Sequence, residues 1–268
     1  MNRGFALLAV LWVLTALAVL AGVGLAVVRT GADTTRNRIL LARSGWASDA
    51  CLEILQARYA QDSTVRALDT VELGRGTWCR ASLEDLGAKL NVNTAGFAAL
   101  TTVLRSVVRD TALADSLAAT IIASRRVFRF VAIPELVQWV GLDSTQIGPL
   151  ESAFTTDGPG TIDVNAAPPA ILGAVPGMTE EAVGLLLDRR TTGRTIQSLA
   201  ELGPFLAEGA RTTLFANERA FRDAATFTSA EFRAVADGGV RGTPIVTRVT
   251  VLLIPLPGRL AVIREERE

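Results

Sequence analysis

Residues Arg3 to Thr30 read RGFALLAVLWVLTALAVLAGVGLAVVRT, and the 24 residues from Phe5 to Val28 carry no charge. As an α-helix rising about 1.5 Å per residue, that run covers a hydrocarbon core of about 30 Å. It therefore reads as a transmembrane segment. A secretory signal peptide has a shorter apolar region of roughly 7 to 15 residues, although Ala16-Leu17-Ala18 has the small-residue pattern of a cleavage site. One basic residue, Arg3, precedes the span, whereas Arg29, Arg36, Arg38 and Arg43 follow it. Taken alone, the positive-inside tendency puts the following body in the cytoplasm. The helical pattern continues past the span: Trp46, Ala50 and Ile54, with Ala47, Cys51 and Leu55 beside them, form an apolar face reaching to about Tyr59. One long helix is expected, half in lipid and half amphipathic, with Arg29, Arg36 and Arg43 recurring every seven residues on a solvated side.

The short basic leader ending in Gly4, the apolar first residue Phe5, the uncharged span and the amphipathic continuation resemble the class III signal of type IV pilins and type II secretion pseudopilins. The resemblance implies cleavage after Gly4 by a prepilin peptidase and methylation of the new N-terminus at Phe5. Most of these proteins carry Glu as the fifth mature residue, where it pairs with the amine of a neighbouring subunit. Here that position is Ala9. A lone carboxylate in a bilayer costs about 2.5 to 3.5 kcal/mol on insertion scales, so it persists only where a partner compensates it. A subunit with nothing stacked above it has no such partner, and this substitution resembles the K-type minor pseudopilin, the GspK family.

Composition constrains the rest. The 268 residues are enough for about two folded units beyond an anchor. Lysine plus arginine and aspartate plus glutamate number 27 each, so no overall field draws the chain to nucleic acid. Histidine is absent, which removes the usual general base near neutral pH and the commonest metal ligand. The two cysteines, Cys51 and Cys79, are too few for a disulfide-dense scaffold or a cysteine zinc site. Outside the cytoplasm they would form one bridge; otherwise they are two buried thiols.

The middle of the chain repeats itself. KLNVNTAGFAAL at Lys89 to Leu100 matches TIDVNAAPPAIL at Thr161 to Leu172, and IIASRR at Ile121 to Arg126 matches LLLDRR at Leu185 to Arg190. A Glu-Leu pair follows each, Glu135-Leu136 and Glu201-Leu202. A duplicated helical unit is expected. Asn93 and Asn165 stand just before their helices, as N-caps would, and Thr179 is placed to cap the helix that begins at Glu180. This region also resembles the helix-hairpin-helix of DNA-binding proteins, which makes a membrane-anchored DNA receptor of the competence type the alternative function. Its hairpin would be Gly177-Met178-Thr179, but the second glycine is missing and Glu180 and Glu181 would repel phosphate.

After about Phe221 the pattern changes to period two. Phe232 and Ala234 alternate with Glu231 and Arg233, Asp237-Gly238-Gly239 reads as a turn, and Ile245 to Leu253 and Leu260 to Arg264 read as strands. Their partners are expected around Val65 to Leu73 and Thr77 to Leu83. No zinc-protease helix, nucleophile elbow, phosphate loop or dinucleotide fingerprint is present, so no enzyme is expected. No cofactor is expected either, save that Asp157 and Asp163 flank a Gly-Pro-Gly turn and are candidates for a structural calcium. Solvated turn carboxylates are the commoner reading.

These readings combine into an α+β, pilin-like fold with an inserted, duplicated all-α domain of the SAM-like or helix-hairpin-helix-like kind. Residues 1–4 would be leader and 5–28 the transmembrane helix. Residues 29–90 and 221–268 would form a discontinuous pilin core around a helical domain at 91–220. The resemblance implies a single-pass inner-membrane protein with its body in the periplasm, at the tip of the type II secretion pseudopilus. Its partners there would be the I-type and J-type minor pseudopilins, the inner-membrane assembly platform and prepilin peptidase, with no nucleic acid.

Overall fold

The computed structural model describes residues 3–267 except 109 and 141–143, and omits the side chains of 3–9, 137–140 and 144. Gly4, Phe5 and Ala9 fall within the helical backbone, but their side chains, like Met1 and Asn2 of the leader, lie outside the described part. Helix α1 runs unbroken over Arg3–Gln61. It is long and apolar enough in its first half to cross a membrane, and side chains from Val10 to Ile39 are all exposed.

From Ser44 onward α1 packs on a sheet. Strands β1 (Ala67–Gly74) and β2 (Thr77–Asp85) form a hairpin. Strands β7 (Phe232–Val240), β8 (Val246–Leu256) and β9 (Arg259–Arg267) follow much later in the chain. The five pair antiparallel in the order β1-β2-β7-β8-β9. The central pairing joins the two ends of the chain, from Thr77 opposite Val240 to Asp85 opposite Phe232. Ala47, Cys51, Leu52 and Leu55 of α1 meet Cys79, Ala81, Phe232, Ala234, Ala236 and Val249 in one buried cluster. Cys51 and Cys79 are bonded across it, with Cα atoms 5.9 Å apart. Closing a loop between residues 28 apart in sequence removes roughly 3 to 4 kcal/mol of chain entropy from the unfolded state.

Two expectations change here. Trp46 is not part of the buried face: it is 73% exposed, because the helix turns Ala47, Cys51 and Leu55 to the sheet, leaving Ala50 and Ile54 half-buried at its margin and Trp46 outside. Asp237-Gly238-Gly239 is no turn but the interior of β7. The glycines are there for contact. A Cβ on Gly238 would overlap Ser44 O and Ser48 N of α1, and one on Gly239 would lie 2.6 Å from the Trp78 ring. The chain reverses instead at Arg241 to Thr243, with Gly242 at φ 74°.

Between β2 and β7 lies the helical domain, built from two similar units. The first begins at β3 (Leu90–Asn91), continues through α2 (Phe97–Val107), α3 (Thr111–Ser124), α4 (Ile133–Val140) and α5 (Ile147–Ala153), and ends at β4 (Phe154–Thr155). The second begins at β5 (Ile162–Asp163), continues through α6 (Pro169–Leu172), α7 (Glu180–Thr191), α8 (Glu208–Ala216) and α9 (Glu218–Ala224), and ends at β6 (Ala225–Thr226). In each unit the first and last short strands pair in parallel, so each closes on itself. Both contribute to one buried core, which includes Phe221 and Ala225. The domain therefore extends to Thr226 rather than ending at 220.

Candidate functional site

The conserved geometry of the two units begins at their asparagines. Asn93 Nδ2 donates to Phe130 O and Thr156 O, both at 3.0 Å, while its Oδ1 accepts from Phe130 N at 2.9 Å. Asn165 does the same in the second unit, donating to Ile196 O (2.8 Å) and Phe227 O (2.7 Å) and accepting from Ile196 N (2.9 Å). Neither is an N-cap. Gly96 and Pro168 occupy those positions, without side-chain cap bonds. The amide has two donors and an acceptor, which lets one side chain hold three backbone groups from two returning segments. Thr179 does cap α7, accepting from Ala182 N at 3.2 Å.

Arginines complete each closure. Arg125 donates to Val92 O and Ala95 O, and Arg190 to Val164 O and Ala167 O. The repeat thus matches Arg125 to Arg190, one residue off the alignment of IIASRR with LLLDRR. Burial lowers the pKa of Arg190, against the nearby Asp163 charge. Asn91 and Asp163 differ in chemistry at equivalent positions: each accepts from the asparagine N–H two residues on, but Asn91 also donates, to Asp157 O and Gly158 O at 3.1 Å.

The joint between helical domain and sheet is polar. Asp157, in the turn linking the two units, accepts from Arg233 of β7 at 3.0 Å and from Arg264 of β9 at 3.0 and 3.1 Å. Arg233 also reaches Glu84, which pairs with Lys89. These groups border a cleft of about 430 Å³ floored by Val235, Thr250 and Leu252. Asp163 faces elsewhere, accepting from Ser229 Oγ at 3.0 Å; the same hydroxyl contacts Asp85. Of the two calcium candidates, Asp157 is matched by two guanidiniums, and Asp163 accepts from Ser229 Oγ and Asn165 N. Among the described residues, no group of three or more acidic, cysteine or histidine side chains could hold a metal ion.

Ser229 has one proton, so both of its carboxyl contacts are hydrogen bonds only when one carboxyl keeps a proton of its own. Burial, the largest influence, raises the Asp85 carboxyl above the usual carboxylate range, and the charge of Asp163 adds to it against the bond from Ser229. A carboxyl with a raised folded pKa is best tolerated while protonated, so its contribution becomes unfavourable as pH rises above the unfolded value of about 3.9. Asp85→Asn, which keeps the acceptor for Gly87 N and gains a donor toward Ser229, should raise the unfolding midpoint at pH 8. The gain should shrink to nothing near pH 3.5, since a buried acceptor without a donor costs about 1 to 3 kcal/mol. Thermal melts of both forms across that range would measure it.

The DNA-binding alternative depends on the turn at Gly177 facing outward. Gly177 instead adopts φ 82° with its Cα turned toward α8–α9, where a Cβ would come within 2.9 Å of Asn217 Cβ and 3.3 Å of Leu214 O. Glu181 accepts from Ala207 N at 2.6 Å. The turn from Pro176 to Thr179 is half-exposed, packs on one side against α8–α9, and is edged with acid at Glu180 and Glu181.

No family model matches this sequence, and no curated protein does. Its structure is similar to a chain of the GspK-GspI-GspJ complex from the enterotoxigenic Escherichia coli type 2 secretion system. The TM-score is 0.62 and the identity 14%, over 90% of this chain and 99% of that one. The likeness is one of fold. It takes in the long helix, the discontinuous sheet and the inserted helical domain together, which makes the architecture pilin-like. The bare length of α1 and the sheet-edge strands β1 and β9 are largely exposed.

Proposed function

We propose that this chain is a K-type minor pseudopilin of a type II secretion system. The observation that carries the reading is the helical domain set into a pilin core, a combination similar over nearly the whole chain to a subunit of a GspK-GspI-GspJ complex. On this reading, prepilin peptidase removes residues 1–4 and Phe5 is methylated. The apolar part of α1 is then the single inner-membrane span, and the body stands in the periplasm, where the Cys51–Cys79 bond can persist. The subunit joins I-type and J-type pseudopilins on the assembly platform, starts the pseudopilus and remains at its tip. The helical domain is too bulky to be stacked upon, so it limits growth while export proceeds. Its work is assembly rather than catalysis.

The test is the full chain produced with prepilin peptidase and the I-type and J-type subunits of the same organism. Mature protein should begin at methylated Phe5, Gly4→Trp should retain the leader, and the three subunits should purify together. Phe5 as the N-terminus of the Gly4→Trp variant would refute the processing. Steeply salt-dependent duplex DNA binding, with no association with those subunits, would replace this reading with a DNA receptor.

A further inference from the structure

The helical domain and the sheet do not share a core. Their two buried clusters have no residue in common, and the bodies are joined by two short connectors and by polar contacts. One connector is the turn Leu86–Ala88, directly after β2. The other runs from Phe227 to Glu231, directly before β7. Leu86 N donates to Glu231 O at 3.1 Å and ties the two together. A joint of this kind, without a shared apolar interface, leaves relative motion of the two bodies as the default.

The first connector is shaped as a pivot. A Cβ on Gly158, in the link between the two helical units, would lie 3.1 Å from Leu86 Cβ, and a Cβ on Gly87 would lie 3.1 Å from Asp163 Cβ. Two segments of the helical domain therefore press on this one buried turn. The contact fixes a point and leaves the rest of the domain free to swing about it.

A cleft opens beside the pivot on each face of the sheet. Along β2, Asp85 continues the buried row of Cys79, Ala81 and Leu83 and faces inward, toward α1, whereas Glu84 faces outward. The outer cleft, of about 430 Å³, separates Val131 and Pro134 of the helical domain from Val235 and Leu252 of the sheet. The inner cleft, of about 470 Å³, separates Asn165 and Gln197 of the helical domain from Tyr59 and Arg66 at the end of α1 and just beyond it. Narrowing one widens the other.

The two clefts differ in what they hold. The outer one has apolar walls on both sides: Val131 is 76% exposed at its lip, and Leu252, although buried, belongs to neither core cluster. Closing it removes this surface from water. Asp157 reaches Arg233 and Arg264 at its edge, through long side chains that keep their reach as the gap narrows. The inner cleft is crossed instead by a short polar clasp, in which Ser229 Oγ donates to Asp163 at 3.0 Å and contacts Asp85 of β2. A hydroxyl has no length to spare.

We propose that the helical domain is a lid on the pilin-like core, which pivots at Leu86-Gly87 and closes Val131 onto Val235 and Leu252, and that the Ser229 clasp between Asp85 and Asp163 holds it open. Closure is a hinge motion, in which a few residues at the end of an element take up the change while the bodies stay rigid. Each body keeps its own buried cluster throughout. The lid is a property of the single chain, so it stands or falls apart from the pseudopilin reading.

The experiment measures distances between nitroxide labels in the full chain in detergent. One pair, Glu151→Cys with Glu266→Cys, spans the outer cleft, and the other, Ser63→Cys with Thr195→Cys, spans the inner one; Cys51 and Cys79 are bonded to each other and stay unlabelled. Ser229→Ala should shorten the outer distance and lengthen the inner one, each by several ångströms, as a population shift toward the closed seat. Adding Val131→Asp should return both distances toward wild type, because a carboxylate resists burial against Leu252. Val131→Asp alone, at an exposed position that folding tolerates, should leave the wild-type distances unchanged. Wild-type distances in Ser229→Ala overturn the inference. So do two distances that lengthen together, the sign of a joint that loosens without a second seat, and a closed seat that persists with Val131→Asp.

Discussion

Gly238→Ala should destabilise the sheet-bearing half of the molecule by about 3 kcal/mol or more, the upper end of what overpacking costs. The added methyl would overlap Ser44 O and Ser48 N and lie 2.9 Å from Ala47 Cβ. Two of these are backbone atoms of a helix already bonded to the sheet through Cys51 and Cys79, so the helix cannot slide away locally. Gly239→Ala should cost less, because its nearest neighbours are ring atoms of Trp78, which can swing outward. Gly184→Ala, in α7 with open space around it, should gain up to about 1 kcal/mol from helix propensity. Denaturant melts of the full chain in detergent should therefore rank the variants Gly238→Ala, Gly239→Ala, wild type, Gly184→Ala in rising stability. A Gly238→Ala midpoint equal to that of Gly239→Ala would mean that helix and sheet are less closely seated than described.

This prediction comes from a place where the sequence misleads. Asp-Gly-Gly is common in turns because glycine tolerates left-handed backbone, and nothing local distinguishes a glycine needed for its φ from one needed for its missing Cβ. Only the path of α1 over β7 decides it. Trp46 fails for a related reason. Apolar residues at helical spacing mark a face, but two adjacent rows, one through Ala47, Cys51 and Leu55 and one through Trp46, Ala50 and Ile54, are equally periodic. Which row is fully buried, and that Ile54 but not Trp46 of the second row reaches the core, depends on where the sheet lies. The long-range design was more legible. An uncharged run of helix length, alternating strands at both ends of the chain and a duplicated middle require a discontinuous core around an insert, as the β2–β7 pairing shows.

The candidate site was legible as a pattern but not as chemistry. The recurrence of Val-Asn-x-Ala marks Asn93 and Asn165 as equivalent, yet their partners Phe130, Thr156, Ile196 and Phe227 lie between 31 and 63 residues away. A helix beginning a few residues later makes the capping role the economical local guess. The short parallel strands that close each unit span two residues apiece, too few to leave any periodicity. Arg125 rather than Arg126 matches Arg190 because the two units differ in helix and loop length, which an alignment of the Arg-Arg pairs cannot register.

Asn165→Asp separates the two roles sharply. At an N-cap, aspartate is about as good as asparagine, and the substitution would be close to neutral. In the observed position it replaces the amide nitrogen by an oxygen facing Ile196 O and Phe227 O, at the 2.8 and 2.7 Å now spanned by hydrogen bonds. Two bonds are lost and a half-buried negative charge is set against two carbonyls, for a cost of about 2 to 5 kcal/mol. The new carboxyl would be disfavoured as an anion in the folded state, so its folded pKa would exceed the unfolded value of about 3.9. The loss should therefore be largest at neutral pH and partly recovered as pH falls toward 4, where a protonated oxygen can donate to one carbonyl. Asn93→Asp should behave in the same way through Phe130 and Thr156. Both units share one core, so either substitution should lower the stability of the whole helical domain, while the disulfide-linked helix and sheet retain their own buried cluster. Amide exchange of the two variants at pH 7 would show this, with protection falling across α2 to α9 and retained in β2, β7 and β8. Unchanged exchange in Asn165→Asp would return the residue to a capping role.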